Sequence, residues 1–237
     1  MSIQINYKNK NLKKSTTNLV FFIDENFNIS SLKTHLSDAE FSYISDLLKN
    51  SDLKKNILFF EVNSKKTIFL VSVKKDLETS DIESIGAEFH GYINYDKKRD
   101  FFINSDSINN KFENFLGYFL HGLKLKSYEF NIYKSKKDTK AISINIIGNT
   151  NKRITQNELR FKAIEKGTFF ARDLVSEPPN VLNPKEYANR LLKLKKFGIK
   201  VTIYNESQMK KLGMHSLLGV GRGSVNESFL VTLEWNG

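Results

Sequence analysis

Apolar residues in the first 150 positions recur at two spacings, and the alternation between those spacings predicts the fold. Runs at 3–7, 18–23, 57–62, 67–73, 100–104 and 141–147 are rich in Ile, Val and Phe and are bounded by polar turns, as strands are. Between them, 38–49, 81–92 and 111–123 repeat apolar residues every three or four positions and predict amphipathic helices. The last has the clearest period: Phe112, Phe115, Leu116, Phe119, Leu120 and Leu123 share one face. Strands alternating with helices imply a layered α/β domain around a parallel or mixed sheet.

The pattern breaks at 148–153, a polar stretch that predicts a boundary between domains at 1–150 and 151–237. Thr155, with Glu158 three residues on, reads as the capping box of a helix running to about Glu177. Such a helix is roughly 30 Å long and can connect two domains. Ala163, Gly167 and Ala171 stand four apart on it, a row of small residues expected to admit another backbone closely. Pro178 and Pro179 end the helix, since neither donates a helical hydrogen bond. Asn183 then caps a helix with Pro184 at its first position, ending near Gly198. A strand at 199–204, a short helix at 207–212 and a strand at 229–234 complete an unfinished α/β unit.

Composition narrows the class. The 237 residues are 40% hydrophobic with only three Pro, enough for true cores. Absence of Cys excludes a disulfide scaffold, a thiolate zinc site and a cysteine nucleophile, and suits the cytoplasm. The N-terminus has no stretch apolar enough for a signal peptide, and the longest apolar runs are strand-sized, so no membrane partner is expected. The net charge of +11 admits a nucleic-acid partner, but the lysines are scattered and form no continuous stripe. Residues 151–237 hold 15 Lys and Arg against 8 Asp and Glu, so the excess leans to the second part.

Candidate chemistry is sparse. Asp173 and Glu177 lie four apart on one helical face and could share a cation, but ion pairs with Lys166 or Arg172, or work at the helix end, are the simpler reading. Gly219-Val-Gly-Arg-Gly-Ser224 lacks the Lys-Ser/Thr ending of a P-loop and the spacing of a dinucleotide fingerprint; it reads as a tight loop requiring positive φ. His35, His90, His121 and His215 make no metal-binding pair by spacing, and His121, on the apolar helix, is expected to be partly buried.

Three blocks, in order, carry a resemblance. They are Ala171-Arg-Asp-Leu-Val-Ser-Glu-Pro-Pro-Asn-Val-Leu-Asn-Pro184, Leu212-Gly-Met-His-Ser-Leu-Leu-Gly-Val-Gly-Arg-Gly-Ser224 and Phe229-Leu-Val-Thr-Leu-Glu-Trp-Asn-Gly237. Together they resemble the entrance to the catalytic domain of the leucyl (cytosol) aminopeptidase family. Gly122-Leu-Lys-Leu-Lys-Ser-Tyr-Glu-Phe-Asn-Ile-Tyr-Lys134 is similar to the end of that family's N-terminal domain, with Asn131 where Asp is usual. The resemblance implies a macro-like N-terminal domain at 1–150, a connecting helix, and the first part of a zinc-peptidase-like α/β domain at 151–237. It implies a cytoplasmic homo-hexamer that hydrolyses N-terminal residues from peptides with two divalent ions, manganese or zinc. The family's metal and catalytic residues stand on Val-Gly-Lys-Gly-x-Thr-Phe-Asp-Ser-Gly-Gly and Asn-Thr-Asp-Ala-Glu-Gly-Arg, and neither motif occurs in these residues. No catalytic or metal residue is therefore assigned to this chain, no ion is expected bound to it, and it is expected to be an inactive fragment as given. The alternative is a DNA-binding or regulatory module derived from such a peptidase.

Overall fold

The computed structural model describes residues 3–8, 18–94, 99–108, 114–135, 141–148 and 152–236, apart from the side chains of Lys8 and of 152–156. The chain divides into two compact units, Met1–Phe169 and Phe170–Gly237. Most of the polar break read at 148–153 lies outside the described residues.

In the first unit, strands β1 (Ile3–Lys8), β2 (Asn18–Asp24), β3 (Ile57–Asn63), β4 (Lys66–Val73), β5 (Asp100–Asn104) and β6 (Ile142–Ile147) form one six-stranded sheet in the order β1-β6-β5-β2-β4-β3. The β1–β6, β6–β5, β5–β2 and β2–β4 pairings are parallel, whereas β3 runs antiparallel to β4. The Asn63 carboxamide closes that hairpin by accepting from the Lys65 and Lys66 amides at 2.9 and 3.0 Å.

Helices α1 (Asp38–Leu48), α2 (Thr79–Asn94) and α3 (Phe115–Lys126) cover the sheet. Strand side chains alternate between its two faces, and here both faces are dry. Val20, Phe22, Phe69 and Val71 pack with Ile82, Ile85 and Phe89 of α2 and Phe115, Phe119 and Leu123 of α3. Leu19, Phe21, Ile68 and Leu70 pack on the other face with Ile44 of α1 and Leu32 of the short 3-10 turn before it. That is why β2 and β4 read as unbroken apolar runs rather than as alternating ones. Of the face predicted at 111–123, Phe112 falls outside the described residues, and the other members are buried as expected.

α2 and α3 cross at two glycines. A Cβ at Gly86 would lie 2.0 Å from the Phe119 carbonyl oxygen, and one at Gly122 would lie 1.9 Å from that of Glu83. Backbone meets backbone there, which only glycine permits.

Helix α4 (Lys152–Ser176) begins three residues ahead of the expected cap, so Thr155 lies inside it and not at its N-cap. Beyond Phe169 follow α5 (Pro184–Leu192), a 3-10 turn Lys193–Phe197, β7 (Lys200–Tyr204), α6 (Glu206–Lys211), α7 (His215–Gly221) and β8 (Leu230–Glu234). β7 and β8 pair antiparallel, and Ala188, Leu191, Val201 and Met209 form the small buried centre of this unit. Gly198 ends the 3-10 turn at φ 85°, a left-handed position suited to glycine. Among the described residues no helix is long and apolar enough to cross a membrane.

Candidate functional site

The segment after α4 is held by a compact set of polar contacts. The Pro178 carbonyl accepts from the Val181 and Leu182 amides at 3.0 and 2.9 Å, turning the chain back at once. Asn183 caps α5 by accepting from the Glu186 amide at 3.0 Å, with Pro184 at the first helical position. Arg190 of α5 donates to the buried Glu177 carboxylate at 2.7 Å and to Glu186 at 3.0 Å. Those two hydrogen bonds bind the guanidinium proton more firmly still. Glu177 therefore serves an ion pair with Arg190, thirteen residues on, at 2.7 Å.

The glycine-rich stretch differs from expectation. Gly219 and Gly221 lie within α7, and positive φ falls instead at Gly213 (75°). A Cβ at Gly221 would meet Ser228 Oγ at 2.1 Å, a side-chain end that a rotamer change can move. Among the described residues no three His, Asp or Glu side chains converge as a metal centre needs. These residues do not fit a two-ion site.

The small-residue row also differs. Ala163, Gly167 and Ala171 are all exposed, and nothing lies within 4 Å of a Cβ at Gly167. Among the described residues nothing makes the close contact expected at Gly167. Gly167→Ala is thus expected to stabilise this chain by about 1 kcal/mol, from helix propensity alone. Gly167→Leu should do nearly as well, and urea melts of the two variants check this.

A second constellation, which spacing alone does not reveal, lies in the first unit. Ile5 and Tyr7 of β1, Gly117, Leu120, His121 and Lys124 of α3, and Glu158, Phe161, Lys162 and Glu165 of α4 line a cavity of about 120 Å³. His121 is buried, and its Nδ1 faces Glu83 Oε1 at 2.9 Å, while Nε2 has no hydrogen-bond partner among the described residues. Its ring lies 4.9 Å from that of Phe161. Lys124 Nζ donates to the Ile3 carbonyl, and Lys162 pairs with Glu158 at 2.5 Å. Burial, then the Glu158 and Glu165 carboxylates, push the Tyr7 hydroxyl up to about 12. Burial also pushes Glu165 above the usual carboxylate range and Lys124 below the usual lysine range.

The family model for the catalytic domain of the cytosol aminopeptidase family matches residues 169–237. The chain is 40% identical over 125 residues to a probable cytosol aminopeptidase of Agrobacterium fabrum, a stretch that is 50% of this chain and 25% of that protein. It is 38% identical over 126 residues to one of Rhizobium meliloti, with the same coverage. A solved structure, a tomato leucine aminopeptidase mutant, superposes with a TM-score of 0.77 at 20% identity over 98% of this chain and 50% of that one.

Over these residues the chain resembles the cytosol aminopeptidase family.

A bottromycin maturation enzyme in complex with Mn shares the fold at TM-score 0.69 and 16% identity, over 94% of this chain and 46% of its own. The aligned stretch thus spans about a quarter of the curated cytosol aminopeptidases, and the fold about half of the solved chains. The mixed α/β class read from the sequence is the one these structures share.

Proposed function

We propose that this chain is the leading part of a two-metal aminopeptidase that removes N-terminal residues from peptides and works as a cytoplasmic homo-hexamer. The observation that carries this reading is the family match over 169–237, supported by a fold likeness that extends over nearly the whole chain. Two manganese or zinc ions, held by the two motifs these 237 residues lack, would supply an activated water for attack on the scissile carbonyl. The contribution of the present residues is structural. The Glu177–Arg190 pair and the Asn183 cap set the path by which the chain enters the catalytic domain. The 237-residue chain is expected to leave leucine-p-nitroanilide intact with added Mn²⁺, and to gain turnover when joined to a continuation that carries both motifs. Turnover by the purified chain alone would place the chemistry elsewhere. A second reading, a DNA-binding or regulatory module, is favoured by the charge of +11 and predicts DNA retention that falls steeply with salt.

A further inference from the structure

The cavity between β1, α3 and α4 is a built environment that the aminopeptidase reading does not use. Glu158, Lys162 and Glu165 follow one another at helical spacing on one face of α4, so their charges alternate, and Lys124 adds a second cation from α3. Two lysines and two glutamates leave the lining formally neutral. A lone cation placed there would approach two ammonium groups, and a lone anion two carboxylates. A molecule bearing both charges a few ångströms apart escapes both penalties. Ile5, Leu120 and Phe161 supply apolar wall beside the charges.

Two polar groups at this cavity are unspent. The half-buried Glu165 carboxylate and Tyr7 hydroxyl make no hydrogen bond to a described residue. An ammonium supplies donors to Glu165, while a carboxylate accepts from the Tyr7 hydroxyl and from the remaining protons of Lys124. Size limits the rest of the molecule. A cavity of about 150 Å³ takes benzene, so one of about 120 Å³ takes roughly five or six non-hydrogen atoms.

We propose that this cavity binds a small free α-amino acid, of the size of glycine or alanine, with its ammonium on Glu165 and its carboxylate on Lys124 and Tyr7. Such molecules are what the proposed reaction releases. That link rests on the proposed function, whereas the binding itself is measurable on this chain, which needs no turnover to show it.

The test is calorimetric titration of the 237-residue chain with glycine, L-alanine, methylamine and acetate, repeated on Glu165→Gln. Saturable binding of glycine or L-alanine is expected, weakened at least tenfold in Glu165→Gln, with methylamine and acetate each far weaker. Failure of both amino acids to saturate overturns the proposal. So does equal binding of methylamine or acetate, or unchanged affinity in Glu165→Gln.

The variant should fold. Burial raises the Glu165 carboxyl, against the opposing pull of Lys124, His121 and Lys162 and with a small push from Glu158. A raised carboxyl contributes stability only while protonated, below its unfolded value of 4.5, and loses it as pH rises through the folded value. Glu165→Gln should therefore melt higher than wild type at neutral pH, and the gap should close below pH 4.5.

Discussion

Gly122→Ala should destabilise the first unit by about 3 kcal/mol, the upper end of what overpacking a tight interior costs. Gly122 of α3 is buried against α2, and its added methyl would sit 1.9 Å from a main-chain oxygen that no rotamer change can move. The two helices must separate, and the aromatic contacts beneath them must loosen with them. Phe89 packs 5.6 Å from Phe119, and Phe119 packs 5.2 Å from Phe22 of the central strand. At this chain length, 3 kcal/mol corresponds to a fall of roughly 6–12 °C in Tm. Gly91→Ala is the matched control, since it lies on the exposed side of α2 with nothing within 4 Å. It should be neutral or slightly stabilising through helix propensity. If the two variants melt alike, the backbone-to-backbone crossing is wrong.

Glu40→Gln should cost about 3 kcal/mol, because it leaves a buried ammonium without its counter-charge. Lys66, at the start of β4, is only 6% exposed, and its Nζ lies 2.6 Å from Glu40 Oε1. The same carboxylate accepts from the Ser37 amide at 3.0 Å, completing the capping box of α1. One side chain thus fastens a helix start and neutralises a buried lysine. Burial alone would raise the Glu40 carboxyl, but the bonds from Lys66 and Ser37 prevail and hold it below the usual range. A depressed carboxyl contributes stability above its unfolded value of 4.5 and loses it as pH falls through the folded value. Wild type and Glu40→Gln should therefore converge in acid and differ most near neutrality, as urea unfolding at several pH values would show. The double variant Glu40→Leu/Lys66→Met should recover most of the loss, since a buried pair replaced whole by apolar groups is often neutral.

Elements were legible wherever local periodicity carried them. The six strands of the first unit and the face formed by Phe115, Leu116, Phe119, Leu120 and Leu123 follow from spacing, because a strand repeats every two residues and a helix every 3.6. The Asn183–Pro184 helix start was readable for the same local reason: cap and first turn are neighbours in the chain. Local signals misled where two structures shared one composition. Glycines at 219 and 221 suited a loop, yet they lie in a helix. Thr155 suited a cap, yet the helix begins at Lys152.

The sequence by itself determined the strands, most of the helices, the α/β class and the resemblance to the cytosol aminopeptidases, because each depends on short patterns of residue type. Only the tertiary structure decided the sheet order, the reversed β3, the Gly86–Gly122 crossing and the Lys66–Glu40 pair. It alone brought His121 to Glu83, Arg190 to Glu177, and β1 to α3 and α4 around one cavity. These contacts join residues from 13 to well over 100 positions apart. Nothing in the local spacing of either partner encodes the other, and the pairing is set by which faces of the sheet and helices must be buried together.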